Sequence, residues 1–337
     1  MIEKELEIFM KIGVVGTNFV SDSFMEGAGH IDDITINCVT SGHIENAQKF
    51  ARKYNIETVC ESLDEMLEKK IADAIYLAVP NGLHYEMTKK CILAGYPVLT
   101  EKPFMVTKKQ AEEIYELAVL HHVYVHDGIM PLYSRGFEVI KNNLHKVGKI
   151  HNVVFDFSKY SSRYDAYLEG KNPTTFRCDL CNGAIMDLGV YCIADVVGLF
   201  GKPDKIQASA SLLPTGADVA SNAIFTYPDF SAVVMNSKAS DSIYPCTIAG
   251  ENGMLVIQGA SLINKVTYVD RKTKNEEVLF DHVQNPFISE IQDFKESYEN
   301  GYIESKKVSH ALSVDIISTI EEIRKQTGII YPCDEVK

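Results

Sequence analysis

The sequence predicts an α/β protein that has a doubly wound parallel sheet in its N-terminal part and an α+β domain with a large, open, mostly antiparallel sheet after it. Short apolar runs alternate with helical segments as far as residue 128, and strand pairs joined by turns follow. The length of 337 residues exceeds what one hydrophobic core usually serves. We therefore expect two domains, residues 1–128 and 129–337.

The first half alternates buried strands with helices. Met10–Gly16 is a continuous apolar run, which is typical of a strand buried on both faces of a parallel sheet. Parallel strands need crossover helices, and the alternation predicts a Rossmann-type sheet, which binds ligands beyond the carboxyl ends of its strands. We predict strands at 10–16, 34–39, 72–79, 97–100 and 123–125, helices at 44–54, 84–95 and 108–121, and ligand-binding segments at 16–22, 39–43, 78–84 and 100–104.

The second half contains strand pairs in place of this alternation. Turn residues such as Pro228-Asp229 and Glu251-Asn252-Gly253 separate apolar segments, which predicts hairpins of an antiparallel sheet. One face of this sheet has no helix to cover it, so we expect a homo-oligomer that forms through the sheet. We predict hairpins of 223–227 with 231–235, 247–248 with 255–257 and 266–269 with 277–280, a strand at 153–157, and helices at about 183–200, 286–299 and 306–326.

Charge and hydropathy exclude several classes of function. The formal net charge of -13 repels phosphate backbones and anionic lipid surfaces. No apolar run approaches the roughly 20 residues of a membrane-spanning helix, and residues 1–7 are too acidic for a secretory signal. We expect a cytoplasmic protein that binds neither nucleic acid nor membranes.

The cysteines are scattered through apolar segments, as free thiols are in a reducing compartment. Only Cys178 and Cys181 have a chelating spacing, and no second ligand pair accompanies them. We expect no metal site and a loop position for both thiols.

The loop after the first strand is a candidate phosphate-binding turn. Asn18 takes the place of the middle glycine in the usual dinucleotide motif, and Ser21 takes the place of the last one. Asn tolerates left-handed dihedral angles, and serine is small. The alternative is an ordinary turn in a flavodoxin-like protein that binds no nucleotide. The residues predicted to bind cofactor here are Gly16, Thr17, Asn18, Phe19 and Val20.

The end of the second strand bears on the choice of cofactor. An acidic residue there favours NAD through the ribose hydroxyls, and a basic or neutral donor favours the phosphate of NADP. The sequence reads Thr40-Ser41-Gly42-His43, and the predicted cofactor-binding residues here are Ser41, Gly42 and His43. No acid is present to repel a 2'-phosphate, and Ser41 or His43 could donate to it, which favours NADP. The alternative for His43 is a solvent-exposed position at the start of a helix.

Lys102 follows a buried strand and therefore lies at the carboxyl edge of the predicted sheet. Pro103 biases Lys102 towards an extended backbone, which fixes its direction. An ammonium group there can donate to a substrate oxygen and favour a neighbouring phenolate. The alternative is a surface lysine at a turn.

Asp187 and Tyr191 are two further candidate residues. They are four residues apart in an apolar helix, so they share one face and need a polar partner. The alternative is a core tyrosine whose hydroxyl is simply satisfied.

Taken together, these segments resemble the glucose-fructose oxidoreductase / inositol dehydrogenase (Gfo/Idh/MocA) family from Met10 to about Gly328, in the branch that contains trans-dihydrodiol dehydrogenase. Three departures are Asn18 in place of the middle glycine, Gly42, where NADP-using relatives often carry arginine, and Leu132, near an arginine of that branch. The resemblance rests on the glycine loop, Val79-Pro80-Asn81-Gly82-Leu83-His84, Thr100-Glu101-Lys102-Pro103-Phe104 and Gly183-Ala184-Ile185-Met186-Asp187-Leu188-Gly189-Val190-Tyr191.

The resemblance implies a role for each of these residues. Tyr191 would be the proton donor, Lys102 would assist it, and Asp187 would place the substrate or Tyr191. Residues 1–9 would be an extension, since the family usually begins at a position matching Met10. The cofactor, NAD(P), would be lined by Val79, Pro80, Asn81, His84, Glu101 and Lys102, with Pro80, Asn81 and His84 beside the nicotinamide.

Three functions are compatible with these features. The first is reversible hydride transfer between NAD(P) and a secondary alcohol or carbonyl of a sugar, cyclitol or related polyol. Polar groups of residues 159–164 would then line the substrate pocket, and the alternative for this segment is an edge loop. The second is a non-catalytic sensor of dinucleotide or sugar, which the altered glycine loop motivates. The third is a glycosidase that uses bound NAD for transient oxidation of its sugar.

Overall fold

The structure is a computed structural model, and it describes residues 10–334. The predicted N-terminal extension, residues 1–9, lies outside the described residues. The architecture consists of two sheets with helices around them, and the predicted α/β fold class is confirmed.

The first sheet is parallel and has six strands. Its strand order is β3-β2-β1-β4-β5-β6, which is the doubly wound order of dinucleotide-binding domains. The switch point lies between β1 and β4, where loops diverge and leave a crevice for a ligand. The strands are β1 (Met10–Val15), β2 (Ile34–Thr40), β3 (Thr58–Val59), β4 (Ala74–Leu77), β5 (Val98–Glu101) and β6 (Val125–Gly128).

The crossover helices begin at polar caps. Thr107 accepts a hydrogen bond from the amide of Gln110, and Ser62 accepts one from that of Glu65, so each satisfies an amide of the first helical turn. The helices over 44–54 and 108–121 have the predicted bounds. The helices are α1 (Phe19–Ala28), α2 (Ile44–Tyr54), α3 (Leu63–Lys69), α4 (His84–Leu93) and α5 (Lys108–His121).

The prediction for the last parallel strand was wrong by several residues. We predicted 123–125, whereas β6 continues through His126 and Asp127, which are both buried. The Tyr124 hydroxyl lies 2.7 Å from His126 Nδ1, and Ser313 donates to Asp127 Oδ2 over 2.6 Å. Because these partners are brought together only in the fold, the sequence predicts an early end of the strand.

The second sheet has eight strands in the order β14-β13-β12-β11-β7-β10-β9-β8. Its pairs are antiparallel except β7 with β10, which are parallel, and the three predicted hairpins are confirmed. The strands are β7 (Ile150–Ser158), β8 (Lys205–Leu212), β9 (Asp218–Thr226), β10 (Ser231–Ser237), β11 (Cys246–Gly250), β12 (Gly253–Gln258), β13 (Lys265–Asp270) and β14 (Glu276–Asp281).

The helices of the second half cover one face of this sheet, and the last of them pack against the first sheet's helices. The final helix starts at His310, later than the predicted 306, because Ser309 caps it by accepting from the Leu312 amide. The helices are α6 (Arg135–Asn143), α7 (Ser162–Leu168), a π-helical turn (Ile185–Gly189) that leads into α8 (Val190–Phe200), α9 (Pro286–Glu299) and α10 (His310–Thr327).

One helical segment departs from the expectation that no apolar run approaches membrane-spanning length. Cys178–Phe200 is long and apolar enough by composition, with a mean hydropathy of 1.7. However, 72% of its apolar window is buried inside the protein, where α8 packs on β7 and β10. The segment is therefore the core helix of the second half, and its apolar character reflects burial on all sides.

The C-terminal helices join the two sheets into one body. Asn285, just before α9, donates to Ser23 O over 3.2 Å, and Phe287 packs so closely on Gly27 that a Cβ there would lie 2.7 Å from the Phe287 Cβ. On α10 the buried Arg324 donates to Val106 O over 2.9 Å. Since α10 also packs on β8, the C-terminal helices connect the first sheet to the second.

Candidate active site

The turn after β1 requires glycine at its first position. Gly16 has a φ of 103°, and a Cβ added to it would lie 2.0 Å from the carbonyl oxygen of Ala78. Any other residue would therefore push the β1 loop away from the end of β4. The glycine brings the two loops together at the crevice of the sheet.

Asn18 caps α1. Its backbone is extended, with a φ of -86°, so the left-handed dihedral angles that asparagine tolerates are not used here. Its Oδ1 accepts from the amides of Val20 and Ser21 over 2.9 and 3.2 Å, and its Nδ2 donates to Ala78 O over 3.1 Å. The missing glycine therefore imposes no backbone strain, and Asn18 ties the phosphate loop to the end of β4.

The structure places the second cofactor segment beside this loop. Thr17 donates to the Ser41 hydroxyl over 3.1 Å, which connects the ends of β1 and β2. A Cβ at Gly42 would meet no atom within 4 Å, and His43 is exposed at the start of α2. The segment that precedes α2 therefore has a hydroxyl beside the phosphate loop and an exposed imidazole, and it contains no acidic side chain.

Asn81 and His84 connect the loops of the crevice. Asn81 Nδ2 donates across to the second half, to Cys181 O over 2.9 Å and to Asn182 Oδ1 over 2.8 Å. His84 is buried, and both of its ring nitrogens lie 2.9 Å from carbonyl oxygens, those of Val79 and Pro103. His84 thus lies behind the two loops, and its contact with a cofactor stays a prediction. Pro80 is exposed at the mouth of the crevice.

The three predicted catalytic side chains meet at one point. Lys102 Nζ lies 2.8 Å from Asp187 Oδ1 and 3.1 Å from the Asp187 carbonyl oxygen. The same ammonium lies 4.8 Å from the centre of the Tyr191 ring. Lys102 comes from the first sheet and the other two from the core helix of the second half, so the cluster spans both.

Burial and charge set the protonation states of this cluster. Burial raises the pKa of Tyr191 to about 12, and Lys102 acts in the opposite direction. Burial alone would lower the pKa of Lys102 and raise that of Asp187. The charged neighbours together outweigh burial, so that Asp187, Tyr191 and Glu101 keep the pKa of Lys102 raised, and Lys102 and Lys238 keep that of Asp187 lowered. At neutral pH the cluster is therefore an ammonium, a carboxylate and a protonated phenol.

Glu101 lies beneath the cluster. Its carboxyl is buried and accepts from the Tyr76 hydroxyl over 2.8 Å and from the Lys102 amide over 3.2 Å. Burial raises the pKa of Glu101 to about 7, although Lys102 acts to lower it. The carboxyl thus supports the backbone that carries Lys102.

Two glycines allow the core helix to approach the second sheet. A Cβ at Gly183 would lie 2.1 Å from Asp218 Oδ1, and one at Gly189 would lie 2.7 Å from Asn236 Nδ2. Asp218 Oδ2 also accepts from the Ile185 amide over 2.8 Å. The spacing of these glycines around Asp187 therefore serves close packing, and the π-helical turn between them is a feature often found at functional sites.

Sequence reasoning missed Lys238, which follows β10. It is buried and forms an ion pair with Asp187 Oδ2, on the other side of the carboxylate from Lys102. No spacing pattern links residue 238 to the motif at 183–191. Only its position directly after a buried strand could have drawn attention to it.

The segment 159–164 approaches this end of the second sheet. The Ser161 amide donates to Lys238 O over 2.9 Å, and Tyr160 donates to Asp165 Oδ1 over 2.7 Å. Tyr160 is partly exposed, and a role of the segment in the substrate pocket stays a prediction.

Cys178 and Cys181 lie in the connection between α7 and the π-helical turn, where the Cys181 thiol is beside Gly82 and the Cys178 thiol is beside Gly216. Within residues 10–334 no group of three metal-ligating side chains is arranged to hold a metal ion.

The residues present fit a dinucleotide. The close approach at Gly16 leaves the start of α1 facing the crevice, and the end of β2 offers donors around open space. Together with the lysine, aspartate and tyrosine at the edge of the sheet, these features define a nicotinamide-dependent oxidoreductase.

Comparison with known proteins agrees with this class, and the chain belongs to the Gfo/Idh/MocA family. Residues 10–128 match the family's NAD-binding Rossmann-fold profile, and residues 143–256 match the GFO/IDH/MocA C-terminal domain. The predicted resemblance, the use of NAD(P) and the activity as a dehydrogenase or reductase of CH-OH groups are thereby confirmed.

Several relatives match over nearly their full length. The scyllo-inositol 2-dehydrogenase (NADP(+)) IolU of Bacillus subtilis is 34% identical over 97% of this chain and 99% of its own. The trans-1,2-dihydrobenzene-1,2-diol dehydrogenase of Mus musculus is 24% identical over 97% of this chain and 99% of its own. A 3-ketoreductase from Actinomadura kijaniata, solved with NADP and TDP-benzene, shares the fold, with a TM-score of 0.81, 19% identity and coverage of 95% and 98%.

Proposed function

We propose that this protein is an NADP-dependent dehydrogenase that interconverts a secondary alcohol and a ketone on a cyclitol or sugar. The observation that carries the proposal is the convergence of Lys102, Asp187 and Tyr191 at the carboxyl edge of the first sheet. The 34% identity to an NADP-dependent scyllo-inositol dehydrogenase over almost the whole chain supports the substrate class and the cofactor.

The residues divide the chemistry between them. When bound, the nicotinamide supplies or accepts the hydride. Tyr191, whose pKa burial raises to about 12, is protonated at neutral pH and donates its proton to the carbonyl oxygen of the substrate. Lys102 stabilises the negative charge that develops there, and Asp187 holds Lys102 in place. In oxidation the same groups act in reverse.

Asp187 also faces the cleft. Its side chain is 46% exposed although both of its oxygens are paired with lysines. A carboxylate in this position can accept hydrogen bonds from neighbouring hydroxyl groups of a polyol. The exposed part of Asp187 therefore supports a substrate with several hydroxyls.

The lack of an acidic side chain in Thr40-Ser41-Gly42-His43 supports the preference for NADP, and the open space at Gly42 allows it to be tested. We expect Gly42→Asp to weaken NADPH binding relative to NADH by about tenfold or more, because its carboxylate would repel the 2'-phosphate and favour the ribose hydroxyls. Fluorescence titration with both cofactors measures the ratio. Gly42→Asn, which has the same shape without charge, is the control. An unchanged ratio in the aspartate variant would place the phosphate elsewhere.

The uncovered face of the second sheet supports the proposal of a homo-oligomer. Ile224 of β9 is 46% exposed, and Val154, Val233 and Val256 on neighbouring strands are partly exposed on the same face. We expect Val233→Asp to give a monomer, since a charge in the middle of an apolar interface is costly. Light scattering after size-exclusion chromatography checks this, with the edge-strand variant Lys205→Asp as control. A native chain that is already monomeric would refute the proposal.

We also propose a cytoplasmic location and no role in binding nucleic acid or membranes, which the net charge of -13 supports. The sensor hypothesis has lost its motivation, because Asn18 caps α1 without backbone strain. No observation favours a glycosidase.

The proposal is tested by titration with NADPH and NADH, followed by assays with inositols, inososes and sugars. We expect tight NADPH binding and reversible turnover of at least one cyclitol or sugar. Cofactor binding without turnover of any of them would favour a sensor. Hydrolysis of a glycoside with no net change in nicotinamide absorbance would favour a glycosidase.

A further inference from the structure

We propose that Lys238 is a positioning residue for this reaction, which holds Asp187 from the side opposite Lys102 and thereby keeps Lys102 beside Tyr191. The proposal rests on the proposed function. It assigns a role to a residue in the second sheet that lies outside the sequence motifs of the site.

The geometry gives Asp187 two fixed neighbours. Its Oδ1 lies 2.8 Å from Lys102 Nζ, and its Oδ2 pairs with Lys238 Nζ. A carboxylate with one oxygen on each of two ammonium groups has no freedom to rotate about its own axis. Because Lys102 also donates to the carbonyl oxygen of Asp187, its ammonium is held in a single place.

Lys238 itself is held rigidly. Its amide donates to Val219 O over 2.8 Å, and its carbonyl accepts from the Ser161 amide over 2.9 Å. The residue is 6% exposed, so its side chain has little room to move. The position of Asp187 is thus set by the second sheet as well as by the helix that carries it.

The charge on Lys238 has a consequence for Tyr191. If Asp187 were paired with Lys102 alone, its negative charge would neutralise the positive charge of Lys102. Since Asp187 is shared with Lys238, more of the positive charge on Lys102 acts on the phenol 4.8 Å away and on a developing alkoxide. Two other ionisable groups, Glu101 and Asp187, raise the pKa of Tyr191. Lys238 also faces the Asp218 carboxyl and acts to lower its pKa.

A double-mutant cycle tests the proposal. We expect K238M to lower kcat about ten- to a hundredfold with little change in the KM for NADPH, because misplacement of a catalytic group by a fraction of an ångström is costly. K238R, which keeps the charge, should retain most of the activity. In a D187N background, K238M should add less than about a twofold loss, because Lys238 acts through Asp187. K265M removes an exposed ion pair with Asp281 and serves as the control.

Two outcomes would overturn the proposal. One is a K238M loss that is as large in D187N as in the native chain, which would show that Lys238 does not act through Asp187. The other is a raised KM for the alcohol or ketone with unchanged kcat, which would show that Lys238 binds substrate. If K238M does not fold, K238Q replaces it in the same cycle.

The same cycle has a readout that does not depend on turnover. We expect K238M to lower the Tm of the native chain and to have a much smaller effect on the Tm of D187N. If no cyclitol or sugar is turned over, the proposed function fails, while this thermal cycle still reports the coupling. Additive changes in Tm would overturn the role assigned to Lys238.

Discussion

Replacement of Tyr191 by phenylalanine is expected to lower the rate of ketone reduction by about a hundredfold or more at neutral pH. The variant keeps the ring that packs near Phe157 and lies beside Lys102, but it removes the proton that the phenol donates. NADPH binding should remain close to that of the native chain. Steady-state kinetics at saturating NADPH, with cofactor affinity from fluorescence titration, checks both parts.

The control for this variant is Tyr227→Phe. Tyr227 is also a buried tyrosine of the second half, and it donates to Gly201 O over 2.8 Å, away from the cluster. Its loss should leave kcat nearly unchanged. Turnover near the native rate in Tyr191→Phe would remove Tyr191 from the mechanism.

Lys102→Ala is expected to lower kcat by a similar factor of about a hundred or more, because the developing alkoxide loses its cationic partner. It also changes the pH dependence. Lys102 acts to lower the pKa of Tyr191, so its loss moves that pKa above the native value of about 12. Oxidation needs the phenolate form of Tyr191, so kcat/KM for oxidation rises as the pH increases. In the variant this rise should occur at higher pH.

The measurement is a pH profile of kcat/KM for alcohol oxidation. Lys146→Ala, which removes an ion pair with Glu277 in the second sheet, is the control and should leave the profile unchanged. A Lys102→Ala profile that shifts to lower pH, or does not shift, would contradict the proposed effect of the ammonium on Tyr191.

Much of the first sheet could be predicted from the sequence, because its strands are apolar runs and its helices begin at local caps such as Thr107. The short β3 and α3 escaped prediction, since two strand residues and seven helical residues carry too little periodicity. The end of β6 escaped because His126 and Asp127 find their partners only in the folded protein.

The candidate site was predictable where chemistry lies at the ends of strands or within one helix. Lys102, Asp187 and Tyr191 are of this kind, and the structure brings them together. Lys238 was not, because it reaches Asp187 only through the packing of the core helix on the second sheet. That packing depends on Gly189, whose contact with Asn236 cannot be read from spacing.

The most direct test of the account is the change in nicotinamide absorbance when NADPH is mixed with an inosose or keto-sugar, compared between the native chain and Tyr191→Phe. The account predicts consumption of NADPH by the native chain and almost none by the variant, with equal NADPH binding in both. Equal rates in the two proteins, or binding of NADPH without consumption in the native chain across the whole panel, would contradict it.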